Sequence, residues 1–236
     1  MKQRGAVRRR GAGSKTGPLE RQARTSLREA SVSLARTERS CARAVAAAAE
    51  VVIACLEGGG TVFFCGNGGS AADAQHMACE LAGRFYLDRP ALAALALTTN
   101  TSSMTAIGND YSFDDVFSRQ LEGLGGAGDV LVAITTSGGS ANVMQTVRAA
   151  RALGMTVIGM TGQRGDRFAA QCDLALVSQS TITPRIQESH VAMGHVLCEL
   201  VERALFAQPT GTRKAKKPRA NGRGRRTGAS RASGRR

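Results

Sequence analysis

"FCGNGGSAADAQHMACEL", residues 64–81, decides the fold. Its first residues close an apolar run, "TVFFC" (61–65), that reads as a buried strand. "GNGGS" (66–70) then turns the chain, and the alanine-rich remainder has helical spacing. A strand that passes through a glycine turn into a helix leaves unpaired N–H groups at the helix start, where an anion is favoured. Further along the same helix stand His76 and Glu80. Four residues apart, they differ by about 40° around the axis and share a face.

Outward from this stretch the same alternation continues. "ALAALAL" (91–97), "DVLVAIT" (129–135), "MTVIGMT" (155–161) and "DLALVS" (173–178) read as four more buried strands. Helical segments are expected near 70–84, 112–123, 140–153 and 166–170, with a closing helix at about 184–206. Ahead of them, residues 19–56 have helical spacing with a break near 37–40, either a helical hairpin or one long bent helix. Strands alternating with helices predict an α/β fold: a five-stranded parallel sheet with helices on both faces.

Ligands in such folds sit outside the carboxyl ends of the strands. Two loops there are unusual, "GNGGS" (66–70) and "TTSGGSAN" (135–142). Each combines glycines, a helix start and hydroxyls: Ser70 in the first, Thr135, Thr136, Ser137 and Ser140 in the second. Neither has the Walker or the dinucleotide glycine spacing, and neither contains lysine. A small anion such as a sugar phosphate, held by amides and hydroxyls, fits both.

Charge separates the chain into three parts. The net charge of +14 comes from an N-terminal arm (1–24, +7) and a C-terminal tail (209–236, +11); residues 25–208 sum to −4. The ends are rich in Gly, Ser, Pro and like charge and read as disordered, leaving one domain at 25–208. Arms of this kind bind polyanions weakly and without sequence preference, or are solvated extensions from a start site drawn too far upstream. The arginines at 8–10 are not followed by an apolar stretch, so no secretory signal is expected, and no run is long enough to span a membrane. Six cysteines (41, 55, 65, 79, 172, 198) form no C-x-x-C pair and read as reduced packing residues of a cytoplasmic protein.

The three histidines, His76, His190 and His195, all lie in two helical segments. In the last helix Gln187 and His195 differ by about 80°, whereas His190 stands about 140° from His195 and points elsewhere.

"CGNGGSAADAQHMACELAGRF", "TAIGNDYSFDDVFSRQ", "TTSGGSANV" and "TPRIQESHVAMGHVLCELVE", in this order, resemble the phosphoheptose isomerases of the sugar-isomerase (SIS) domain family. The resemblance covers roughly 25–206 and is densest over 61–203. It implies a flavodoxin-like sheet and an enzyme interconverting sedoheptulose 7-phosphate and D-glycero-D-manno-heptose 7-phosphate, the first step toward ADP-heptose. It also implies a cytoplasmic homotetramer serving lipopolysaccharide or other glycoconjugates. By motif, the resemblance places one zinc ion per subunit on His76, Glu80, Gln187 and His195. It places substrate contacts on Asn67, Gly68, Gly69, Ser70, Asn109, Asp110, Thr135, Thr136, Ser137, Ser140 and Gln187. Thr135 stands where serine is common, Gly139 replaces a frequent asparagine, and the basic ends are outside the family pattern.

An aldose–ketose isomerisation moves a proton between C1 and C2 through an enediol, which needs a base and an acid. Glu80 is the expected base and His195 its acid/base partner. Two other readings share the fold: a non-catalytic DnaA-binding regulator of replication initiation, and an isomerase of another sugar phosphate. The first has no use for an intact His76, Glu80, Gln187 and His195 set.

Overall fold

The computed structural model describes residues 17–207. The predicted tail 209–236, and most of the arm 1–24 with its expected polyanion binding, lie outside the described residues. Helix α1 (Pro18–Glu57) starts ahead of the boundary drawn at residue 25, so residues 18–24 belong to it. Thereafter come β1 (Val62–Gly66), α2 (Gly69–Ala82), β2 (Ala94–Ala96), α3 (Thr101–Asp110), α4 (Ser118–Leu124), β3 (Val130–Ile134) and α5 (Ala141–Ala152). The chain closes with β4 (Thr156–Gly162), α6 (Asp166–Ala169), β5 (Leu174–Ser178) and α7 (Thr183–Phe206).

The five strands form one parallel sheet in the order β2-β1-β3-β4-β5. The order reverses between β1 and β3, where ligands collect in such sheets. Successive side chains of a strand point to opposite faces. Val62, Phe64, Val132, Ile158 and Leu176 therefore pack with α1, α2 and α7. Phe63, Cys65, Leu131 and Val157 face the other way, against α4, α5 and Phe168 of α6. Burial on both faces is why the strands read as continuous apolar runs.

The structure departs from expectation in four places. The break near 37–40 does not occur: α1 is one continuous helix, and Thr37 is a buried residue whose hydroxyl accepts from the Gln179 N–H at 3.1 Å. A polar residue spent on a distant backbone group looks, in sequence, like a turn. The second strand covers only Ala94–Ala96 of the expected 91–97. Helix α3 was not foreseen; it buries none of its residues fully, so it has no apolar face to show, and its signal is the Asn100 cap accepting from the Ser103 N–H at 3.0 Å. The segment expected at 112–123 begins as a 3-10 turn (Phe113–Asp115) before α4.

All six cysteines are free, four of them buried, with Cys79 exposed. Among the described residues no helix is long and apolar enough to cross a membrane.

His190 is fully buried in α7, and burial pushes its imidazole down to about 4, offset only in part by the Thr161 backbone. The unfolded group takes up a proton near 6.5 while the folded one stays neutral. Stability is therefore complete above about 6.5 and falls as the pH drops toward 4, a loss on the order of 3 kcal/mol. Urea midpoints should be lower at pH 5 than at pH 7. His190→Leu should flatten that dependence, and an unchanged slope would assign the acid sensitivity elsewhere.

Candidate active site

The first loop enters α2 through Gly68, whose φ of 55° lies in the left-handed region that favours glycine. Gly69 is glycine for a different reason. A Cβ there would collide with Nε2 of Gln187, whose side chain crosses from α7 onto the first turn of α2. Ser70 is buried beneath the turn. Asn67 exchanges two hydrogen bonds with Asn142 at the start of α5, at 2.7 and 2.9 Å. Its amide thus ties the two loops together, a role the motif did not disclose, while keeping a second N–H and a second lone pair.

In the second loop, Thr135 and Ser140 share a hydroxyl hydrogen bond of 3.1 Å, and Ser137 accepts from the Gly139 N–H at 3.2 Å. Thr136 and Ser137 line a cleft of about 110 Å³ with Arg164, Thr181 and Thr183. The cation absent from both loops is therefore supplied beside one of them by Arg164, from the turn after β4. A glycine-flanked arginine at the carboxyl end of a strand was the available signal.

Two turns into α2 the imidazoles meet. His76 Nε2 lies 2.7 Å from His195 Nε2 and 3.6 Å from Glu80 Oε1, and one ligand atom from each of the three residues falls within 4.8 Å of the others. The His76 side chain is 43% exposed and that of Glu80 20%, so the cluster opens to solvent. Phe85 flanks it, its ring 5.7 Å from that of His195. Two imidazole nitrogens and a carboxylate converging on one point form a donor set that suits zinc. The fully buried His190 takes no part, as its angular offset predicted.

Gln187 reaches the first turn of α2, where its side chain meets Gly69. Eight residues span about 12 Å of helical rise, so on their shared side of α7 the Gln187 backbone lies beside the loop and that of His195 beside the cluster, and the side chains must extend toward each other to hold one ion. Asn109 and Asp110 are separate. They are exposed at the end of α3 and bond to each other at 2.9 Å, and among the described residues no hydrogen bond or ion pair joins them to the cluster. Asp73, one turn before His76, was not anticipated. Burial raises its carboxyl to about 6 against the opposing pull of His76, and its Oδ2 has no hydrogen-bond partner.

A parallel sheet with hydroxyl-lined loops at its switch point thus leads into a cluster of two imidazoles and a carboxylate. Residues 27–162 match the SIS domain family. The phosphoheptose isomerase of Rhodospirillum rubrum is 59% identical over 165 residues, covering 70% of this chain and 88% of that one. That of Desulfovibrio desulfuricans is 55% identical over 155 residues, covering 66% and 74%. The structure of the Neisseria gonorrhoeae phosphoheptose isomerase superposes with a TM-score of 0.74 at 44% identity, over 78% of this chain and 98% of that one. That from Francisella tularensis gives 0.76 at 35%, over 79% and 100%. The chain belongs to the SIS-domain family and, within it, to the phosphoheptose isomerases.

Gly69→Ala tests the meeting of Gln187 with the loop. The new methyl displaces only the end of a flexible side chain, so the melting temperature should stay near that of the parent, whereas KM for the sugar phosphate should rise about tenfold, the worth of one lost polar contact. Unaltered KM would remove Gln187 from substrate binding.

Proposed function

We propose that the chain interconverts sedoheptulose 7-phosphate and D-glycero-D-manno-heptose 7-phosphate, as an aldose–ketose isomerase at the start of heptose biosynthesis. The observation that carries this is the approach of His76, His195 and Glu80 to one point, two turns along the helix that the first loop begins. The loops take the phosphate end: Gly68, Gly69 and Ser70 with the first turn of α2, Thr136, Ser137 and Ser140 from the second loop, with Arg164 adding positive charge. Held there, the substrate presents C1 and C2 toward the cluster.

The chemistry then follows from proton bookkeeping. Glu80 takes a proton from C1 of the ketose, and the electron pair moves into the C1–C2 bond while His195 gives a proton to the carbonyl oxygen at C2. The resulting enediol returns its O1 proton to His195 and receives at C2 the proton that Glu80 carries. The aldose is formed, and both groups are restored. Zinc, one ion per subunit, is the cofactor we propose, held by His76, Glu80 and His195 with the Gln187 amide as the fourth ligand. When bound, it supplies polarisation of the carbonyl and orientation of the substrate oxygens.

A homotetramer in the cytoplasm, supplying heptose for lipopolysaccharide, completes the proposal. Exposed Leu19, Leu27, Val32 and Leu34 on α1 and Val196 and Leu200 on α7 support self-association. Asn109 and Asp110, displaced from the cluster within one subunit, suit contact with substrate in a neighbouring one.

Incubation with sedoheptulose 7-phosphate should yield aldose by NMR. Glu80→Gln should cut turnover at least ~100-fold while substrate still binds, and His195→Ala should be similarly damaging. His190→Ala should remain near normal; the reverse ranking of the two histidine variants would place the chemistry on the wrong face of α7.

Elemental analysis should find about one zinc ion per subunit, and His76→Ala should lose it. Metal-free protein that turns over at the full rate would take zinc out of the reaction.

A further inference from the structure

Beyond the cluster, α2 and α7 are joined by a buried ion pair that the chemistry above does not use. Glu202 is seven residues after His195, about 20° away around the helix, so the two share a side of α7 two turns apart. Its carboxylate is fully buried and accepts from the N–H groups of Phe85, Tyr86 and Leu87 at 2.8, 2.6 and 2.9 Å, and from Arg89 Nε at 2.9 Å. Burial alone would raise this carboxyl; the three backbone donors and Arg89 hold it below the ordinary glutamate value.

Arg89, its side chain 1% exposed, turns its other nitrogens back onto the end of α2. Nη1 donates to the carbonyls of Leu81, Gly83 and Pro90 at 2.8, 3.3 and 3.0 Å, and Nη2 to that of Glu80 at 2.9 Å. Helix ends leave such carbonyls unpaired, and one guanidinium satisfies several of them here.

Two lines of contact therefore run from Glu202 to the reacting groups. One passes through Arg89 to the backbone of Glu80. The other passes through the Phe85 N–H to a ring lying 5.7 Å from that of His195. We propose that Arg89 and Glu202 are positioning residues, a buried pair that fixes the Glu80 end of α2 and the Phe85 ring against the His195 side of α7 and so sets the spacing of base and acid. The inference rests on the isomerase reading with Glu80 as base.

The fork geometry matters. Lysine at position 89 keeps the charge opposite Glu202 but cannot reach Glu80, Leu81 and the carboxylate together. A displacement of the base by a fraction of an ångström slows the proton transfer without weakening the phosphate contacts, which lie at the other end of α2.

The test uses the full-length protein with sedoheptulose 7-phosphate. Arg89→Lys and Glu202→Gln should each lower kcat on the order of 10- to 100-fold with KM within about twofold of the parent. Phe85→Leu leaves the ion pair intact and should lower kcat about tenfold, keeping the proposal open to refutation should either charge variant fail to fold. Val147→Ala, buried on the far face of the sheet, is the stability control and should keep parental kcat despite a lower melting temperature. The proposal is overturned if Arg89→Lys and Phe85→Leu both turn over like the parent, or if Val147→Ala loses as much kcat as they do. Glu80→Gln separates this from failure of the underlying reading: an active Glu80→Gln removes the base itself and the positioning role with it. An inactive Glu80→Gln beside fully active Arg89 and Phe85 variants removes only the positioning role.

Discussion

The close approach of α2 to α7 is the constraint on which the site depends. Glycine within a helix is about 1 kcal/mol less favourable than alanine, yet Gly194 sits in the middle of α7. Any Cβ there would run into the side chain of Met77. Met77 is the neighbour of His76, and Gly194 is the neighbour of His195. The missing methyl lets the two helices close, and the residues beside the contact meet as the imidazole pair. A second glycine works in the opposite sense at the other end, where Gly69 of α2 makes room for Gln187 of α7. The helices are thus locked at two levels, one at the glycine loop and one at the cluster.

The loops depend on that arrangement in turn. Parallel topology brings the ends of β1 and β3 side by side, and the Asn67–Asn142 pair fastens the helix starts that follow them. The mutual pair uses one N–H and one lone pair of the Asn67 amide, so a second N–H stays available beside the backbone N–H groups, the hydroxyls and the guanidinium of Arg164. On the proposed reading, binding and chemistry are divided along α2: one end holds the anion, and the residues two turns on react.

Much of this was legible in the sequence, for identifiable reasons. Buried parallel strands are continuous apolar runs, so four of the five fell within a residue or two of their observed limits; β2 alone proved shorter by more than two residues. His76 and Glu80 could be paired because one helical turn separates them, and His190 could be set aside by angle alone. Contacts that depend on distance along the helix or between elements were not legible. The angle joined Gln187 to His195 but said nothing of the rise between them. That Asn67 also pairs with Asn142 was not legible, since 75 residues separate them in the chain. Thr37 resembled a helix break because its partner, Gln179, is far off in the chain. Arg89 and Glu202 could not be singled out, since nothing local marks a pair that will be buried together.

That last pair shows how position and stability differ as design pressures. A buried ion pair is poor evidence of stabilisation, because the desolvation of both charges offsets most of their attraction, and an apolar pair of equal volume often serves as well. Here nearly every hydrogen-bonding direction of the two groups is used: Glu202 takes three backbone donors and Arg89, and Arg89 reaches four carbonyls. An apolar pair would fill the same space but would leave those backbone groups, including the Glu80 carbonyl, unpaired in the interior, each at a cost of about 1–3 kcal/mol. It would also allow the end of α2 to slide, since dispersion contacts have no preferred direction. A fully satisfied polar network admits one arrangement. For the proposed reaction, in which a carboxylate and an imidazole must be held to fractions of an ångström, directionality is the property that charge supplies and hydrocarbon does not.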